Sequence, residues 1–445
     1  MAMLGIRDAR ILVGRPGAGR AVVDGDLAIE DGRIVAVGSK AAARADRVLA
    51  ADGGFCLPGF VQTHVHLCQT LMRGLADDLS LLDWLARRIW PLEAAHSPES
   101  VRASARLGIA ELLLGGTTSI LAMETVRHTQ QAFEAVDALG IRAVVGKTHM
   151  DRPDTFDGLR EDTEDSIREA ERLCREWHGR AGGRIRYAYS PRFAVSCTRE
   201  LLERTAALAR RDGVLFHTHA SENLDEVDRV RSETGLGNIE YLDSLGCLGG
   251  RTVLAHCVHL DDGEVETLAR GGVHVAHCPT CNLKLGSGIA DVPRLASAGV
   301  NVTLGADGAP CNNALDMFEE MKLAAILHNV RHGPSALPAT RILEMATGGG
   351  ARALHLDQEV GVLEVGRRAD AIVVDPRGPR AWPREQADPA SLLVYAGRSR
   401  DVRHVVVDGR DVVRDGVLTT GDLGSILAEA DREARELRQR AGLGG

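Results

Sequence analysis

Eight short β-rich runs recur along this chain between residues 55 and 355, and most are followed by a charged stretch with apolar residues at helical spacing. The runs are CLPGFVQTHVH (56–66), TTSILAM (117–123), RAVVGKTHM (142–150), RIRYAYSPRF (184–193), VLFHTHASEN (214–223), TVLAHCVHL (252–260), VHVAHCPTCN (273–282) and VNVTLGADG (300–308). Stretches such as DSIREAERLCREW (165–177) and TRELLERTAALARRDG (198–213) supply helices between them. Eight strand–helix units of this size suit a closed (β/α)₈ barrel better than an open sheet. The expected fold class is therefore α/β, a TIM barrel spanning residues 56–358.

The two ends read differently. Residues 1–55 and 359–420 hold short alternating runs such as DLAIEDGRIVAVG and VRHVVVDGRDVVRDG, with DG turns and no long helix. They are expected to combine into one small composite β-sandwich domain beside the barrel. Residues 421–445, with GSILAEADREARELRQRAG, read as a charged C-terminal helix.

Bulk composition narrows the class of protein. The 445 residues are 44% hydrophobic, enough for a large core, and the net charge of -9 comes from interspersed signs. That leaves no electrostatic footprint for nucleic acid. No apolar run approaches the ~20 residues that span a bilayer, and MAMLGIRDARILVG lacks signal-peptide anatomy. Nine scattered cysteines, an odd number without framework spacing, read as free thiols of a reduced cytoplasm. The expectation is a cytoplasmic protein with no membrane partner.

The polar residues of chemical interest fall at the ends of the β-runs. His64 and His66 close the first, and alternate positions on a strand share a face. Such a pair also fits a solvated strand end, so the barrel decides: catalytic groups sit at the C-terminal ends of barrel strands. His219 lies near the end of the fifth run, His256 in the sixth, and Asp307 ends the eighth. Imidazoles plus one carboxylate suit a divalent transition metal. His64, His66, His219 and Asp307 are assigned as ligands of one metal ion, zinc or alternatively iron. Glu222 follows His219 by three residues, placed for a proton shuttle, and His256 faces the same centre. The fourth run has no lysine to bridge two metals, and Lys147 in the third reads as an ordinary charged residue. His217 and His277 are left as outer donors or core residues. The CxxC of Cys278 and Cys281 lacks a second pair to complete a closed zinc site.

Taken together, PGFVQTHVH, HASEN, AHCVHL, HCPTCNLKLGSG and LGADGAPCNNALDMFEEM resemble the amidohydrolase superfamily, in its subgroup of deaminases and chlorohydrolases acting on nitrogen heterocycles. LMRGLADDLSLLDWLARRIWPLE and LGADGAPCNNALDMF are similar to 5-methylthioadenosine/S-adenosylhomocysteine deaminases. That resemblance implies that Glu93 holds ribose hydroxyls and Trp84 forms a pocket wall, although that family has histidine where this chain has Tyr189. SPRFAVSCTRELL with HASENLDEV resembles guanine deaminase, which implies that Gln69 and Arg192 grip the base. The resemblance implies hydrolytic release of ammonia from a purine-type heterocycle: Asp307, helped by His256, takes the proton of water, and Glu222 protonates the ring. A homo-oligomer is implied too. Two alternatives stand: a triazine or other azaheterocycle amino- or chlorohydrolase, and a metal-free scaffold.

Overall fold

The computed structural model describes residues 3–14 and 21–443. Eight parallel strands form the barrel: β1 (Phe60–His66), β2 (Thr117–Met123), β3 (Arg142–His149), β4 (Ile185–Pro191), β5 (Leu215–Ala220), β6 (Thr252–His256), β7 (His274–His277) and β8 (Asn301–Leu304). Each pairs with the next, and the sheet closes where Asp307 and Gly308, just past β8, pair with Val65 and His66 of β1. Below that point side chains complete the seam: the hydroxyls of Thr63 and Thr303 lie 2.6 Å apart, and Ala306 N–H donates to Gln62 Oε1 at 3.0 Å. Gly305 is required in this seam, because a Cβ there would stand 2.6 Å from the carbonyl oxygen of His64.

The helices follow the chain logic. Helix Arg199–Asp212 starts where the Thr198 hydroxyl accepts from Leu201 N–H and stops at left-handed Gly213. Its buried Leu201, Leu202, Ala206 and Ala209 join the main core between barrel and helices. Inside the barrel, Val61, Leu121, Val144, Leu215 and Val253 meet Ala351, Leu354 and Val360 in an apolar plug at the N-terminal end. The terminal helix Leu423–Arg440 buries Ile426, Ala430 and Leu437, and its Glu429 pairs with Arg102 and Arg106 of helix Pro98–Leu114.

Strands from both chain ends build a separate nine-stranded mixed sheet, in which Leu4–Val13 pairs with Ala21–Glu30, with Arg47–Ala50 and with Phe55–Pro58. Ala371–Val374 continues it from Phe55–Pro58. One face, with Ile6, Ile11, Leu27, Ile34, Val373 and Val406, encloses a core of its own. Alternate residues Leu57, Ile372, Val374 and Val405 face the barrel core. The run 56–66 is thus divided: Cys56–Pro58 belong to this sheet, and the barrel begins at Phe60. A buried pair joins the two bodies. Arg142, at the start of β3, donates Nε–H and Nη2–H to the two carboxylate oxygens of Asp370, each at 2.8 Å.

Candidate active site

His64 and His66 project from the end of β1, with ring centroids 4.8 Å apart. Each imidazole at the mouth is aimed by its outer nitrogen. His66 Nδ1–H donates to the Met123 carbonyl at the end of β2 (2.7 Å), and His219 Nδ1–H donates to the Arg192 carbonyl after β4 (2.7 Å). His64 Nδ1 lies 3.0 Å from Nε2 of His217, one turn of the pleat below His219 on β5. A neutral imidazole that donates through Nδ1 keeps a lone pair on Nε2. The bare Nε2 atoms of His66 and His219 therefore face each other at 3.3 Å. Asp307 Oδ1 adds a third acceptor, 3.1 Å from His66 Nε2 and 3.2 Å from His64 Nε2.

Acceptors converging on one point repel unless a cation lies between them. The spacing fits one: Zn–N and Zn–O bonds near 2.1 Å at a tetrahedral angle set donor atoms about 3.4 Å apart. Burial lowers His64 to about 4 and His219 well below the ordinary imidazole range, so both rings are neutral ligands at physiological pH. His64 Nε2, fully buried, has no hydrogen-bond partner in the protein. His64, His66, His219 and Asp307 form a buried metal site. Two residues here also hold left-handed backbone, His256 at φ 75° and Asp307 at φ 62°. Such conformations in non-glycine residues concentrate where function demands a particular side-chain aim.

Beside this site stands a carboxyl–imidazole pair. Glu222 Oε2 is 3.4 Å from His256 Nε2, which in turn is 3.9 Å from Asp307 Oδ2. His256 Nδ1–H donates to Asn282 Oδ1 at 2.9 Å, fixing its tautomer, and Glu222 N–H donates to Glu226 Oε2 at 2.8 Å. Asn223, not Glu222, caps the following helix. Burial first, then the nearby charges of Asp307 and Glu226, push the Glu222 carboxyl well above the usual range.

A pocket opens over these groups, walled by Leu81, Trp84, Leu85, Phe193 and Leu285. Behind the lining residues Gln69 and Arg192, Glu93 is clasped twice: Arg192 Nη1–H donates to Oε2 at 2.5 Å, and Gln69 Nε2–H donates to Oε1 at 2.8 Å. Gln69 Oε1 and Trp84 Nε1–H remain buried without partners. Gly308 makes room for this arrangement, since a Cβ there would lie 2.0 Å from Gln69 Oε1. All ten residues singled out in the sequence thus gather at one end of the barrel.

His217, left open between outer donor and core residue, stands behind His64 as its partner, whereas Asn282 and Glu226 carry no signal of function in the sequence. Asn282 lies in HCPTCN, where the cysteines drew attention, and its role is visible only once β6 and β7 are side by side. Tyr189 turns outward and donates to Asp212 Oδ2 at 2.7 Å, so the difference from the adenosyl family at this position does not reach the pocket. Lys147 is spent on Glu161 (2.5 Å) and Ser166 (3.2 Å). His259 donates to Ser287 O at 2.6 Å, and neither ring nitrogen of His277 has a partner.

A parallel barrel with three imidazoles and a carboxylate at its C-terminal mouth defines a metal-centred barrel enzyme. The chain belongs to the Amidohydrolase family, whose model matches residues 55–412. It is 39% identical over 442 residues to a 5'-deoxyadenosine deaminase of Methanosarcina acetivorans, covering 99% of this chain and 100% of that one. It is 42% identical over 425 residues to a 5-methylthioadenosine/S-adenosylhomocysteine deaminase of Syntrophobacter fumaroxidans (94% and 95% covered). Among solved structures, a zinc-bound adenosine deaminase from Xanthomonas campestris superposes with a TM-score of 0.91 at 33% identity, covering 98% of each chain. A zinc complex of atrazine chlorohydrolase from Arthrobacter aurescens gives 0.90 at 27% identity (97% and 100% covered). The guanine deaminase of E. coli gives 0.84 at 29% (93% and 100% covered). No helix of the described residues is long and apolar enough to cross a membrane.

Proposed function

We propose that this chain is a hydrolytic deaminase that removes the exocyclic amino group of an adenosine-type nucleoside as ammonia. The observation that carries the reading is Glu222 Oε2 held 3.4 Å from His256 Nε2 beside the convergent acceptors of the metal site. The curated relatives at 39% and 42% identity, named for 5'-deoxyadenosine and for methylthioadenosine or adenosylhomocysteine, support the substrate class. Zinc fits the three-nitrogen, one-oxygen donor set and is the metal named in the two solved relatives above. Bound there, it supplies Lewis acidity that makes water a nucleophile near neutral pH.

The side chains do the rest. Asp307 accepts the proton of the attacking water through Oδ2, with His256 fixed beside it by Asn282. Glu222 donates its proton to the ring nitrogen next to the reacting carbon, so that carbon accepts the oxygen. The same proton traffic between Asp307 and Glu222 then completes the leaving amine, and a C–NH₂ plus water becomes a C=O plus ammonia. Leu81, Trp84, Leu85 and Phe193 sandwich the flat base, and Glu93, held behind the lining residues Gln69 and Arg192, receives ribose hydroxyls. The complete ligand set argues against a metal-free scaffold. Nine unpaired, buried cysteines support a reducing, cytoplasmic setting.

A second reading, a guanine-type base gripped by Arg192 and Gln69, is favoured by one observation: the Glu93 carboxylate is already engaged by both residues. A panel of 5'-deoxyadenosine, 5-methylthioadenosine, S-adenosylhomocysteine, adenosine, guanine and melamine, assayed for ammonia with zinc-loaded protein, separates the two. Turnover of the adenosyl compounds upholds the proposal. Guanine turnover alone replaces it with the second reading, and melamine alone moves the chain to the triazine hydrolases.

A further inference from the structure

We propose that Glu222, His256 and Cys281 form a second metal-ion site, selective for thiophilic ions, whose occupancy stops the reaction. One ligand atom from each lies within 4.8 Å of the other two, and all three residues are buried. The His256 Nε2 to Glu222 Oε2 separation of 3.4 Å matches the roughly 3.4 Å that two ligands of one tetrahedral ion require. His256 Nε2, the nitrogen at this separation, has no hydrogen-bond partner in the protein, so it is a buried polar atom aimed at this point without an occupant to satisfy it, and the other Glu222 oxygen, Oε1, is unpartnered as well.

Cys281 reaches the site from helix Pro279–Lys284, directly after β7. It acts without the other cysteine of the CxxC, whose thiol turns back toward Ala276 O at 3.7 Å. Cys281 also lies within 4.8 Å of ligand atoms of Asp307 and Cys311, so a second sulfur is in reserve. A nitrogen, an oxygen and a sulfur suit Zn²⁺ in excess and Cd²⁺ better, whereas the histidine–aspartate site has no sulfur. Binding replaces the thiol proton by the metal ion and releases that proton to solvent. Glu222 lines the open pocket and gives the ion its way in. The binding half of the proposal stands on these residues alone. The inhibitory half rests on the roles of Glu222 and His256 proposed above, because an ion on both leaves no proton to give.

The test titrates Cd²⁺ into protein already holding one equivalent of Zn²⁺, following the ultraviolet thiolate-to-cadmium band and ammonia release together. One further equivalent is expected to saturate the band while turnover falls at least tenfold. Cys281→Ala and Cys281→Ser are expected to keep turnover within twofold with one zinc and to lose both band and inhibition; Cys278→Ala keeps both. All nine cysteines are buried, so no exposed thiol among them competes for the ion. Absence of the band in the unmodified protein, or its persistence in the Cys281 variants, overturns the site. A saturating band with undiminished turnover overturns the block and, separately, the catalytic use of Glu222 and His256.

Discussion

Two arginine–carboxylate pairs lie buried at opposite ends of the same barrel, and they differ in what surrounds them. Arg142 and Asp370, at the N-terminal end, form a closed two-point fork, with Asp408 N–H donating to the same carboxylate at 2.9 Å. Arg192 and Glu93, at the mouth, leave Gln69 Oε1 and Trp84 Nε1–H unsatisfied around them. A completed network fastens one body to another. An incomplete one next to a pocket is waiting for a ligand to finish it.

That contrast can be tested by asking which end each loss is felt at. The largest effect belongs to the mouth: Glu222→Gln should lower kcat by ~10²–10⁴ while metal content and Tm hold, measured by steady-state ammonia release and metal analysis. Loss of metal from this variant would make Glu222 part of the metal's support instead. Next comes the closed fork. Arg142→Met strands Asp370 without its partner and should destabilise the fold by about 3–5 kcal/mol in urea unfolding, with kcat per folded molecule unchanged. Adding Asp370→Leu should restore most of that loss. Glu93→Gln ranks third, raising KM for an adenosyl substrate roughly ten- to hundredfold, the worth of a hydrogen bond to a charged group, with kcat less affected. Equal behaviour of the Arg142→Met and Glu93→Gln variants in both assays would erase the distinction. The smallest change is Tyr189→Phe, which removes one outward hydrogen bond to Asp212. It should cost about 1 kcal/mol and leave the substrate order untouched.

The barrel and its metal ligands were legible because each signal is local. A strand ending in HxH, a strand ending within HASEN and a strand running into LGAD each announce themselves within ten residues, and the barrel rule brings them together. The Arg192–Glu93 clasp was not legible as a contact: its members are 99 residues apart, and neither lies in a periodic pattern. Asn282 escaped for the same reason, since its partner His256 lies on the preceding strand. The division of the run 56–66 between two sheets falls at Pro58-Gly59, a turn signal flanked on both sides by apolar residues that read as one continuous strand. Only the facing side chains show that Cys56 packs in the core of the terminal sheet while Val61 joins the barrel plug.

Two of the three metal-binding imidazoles are aimed by main-chain carbonyls, those of Met123 and Arg192. A carbonyl is present whatever side chain its residue carries. The chemistry of the centre is therefore insulated from drift at positions 123 and 192, and at Arg192 the side chain that meets the pocket can change while the oxygen that steadies His219 stays. A barrel wired this way can acquire new substrates by exchanging side chains at its rim without having to rebuild its reaction.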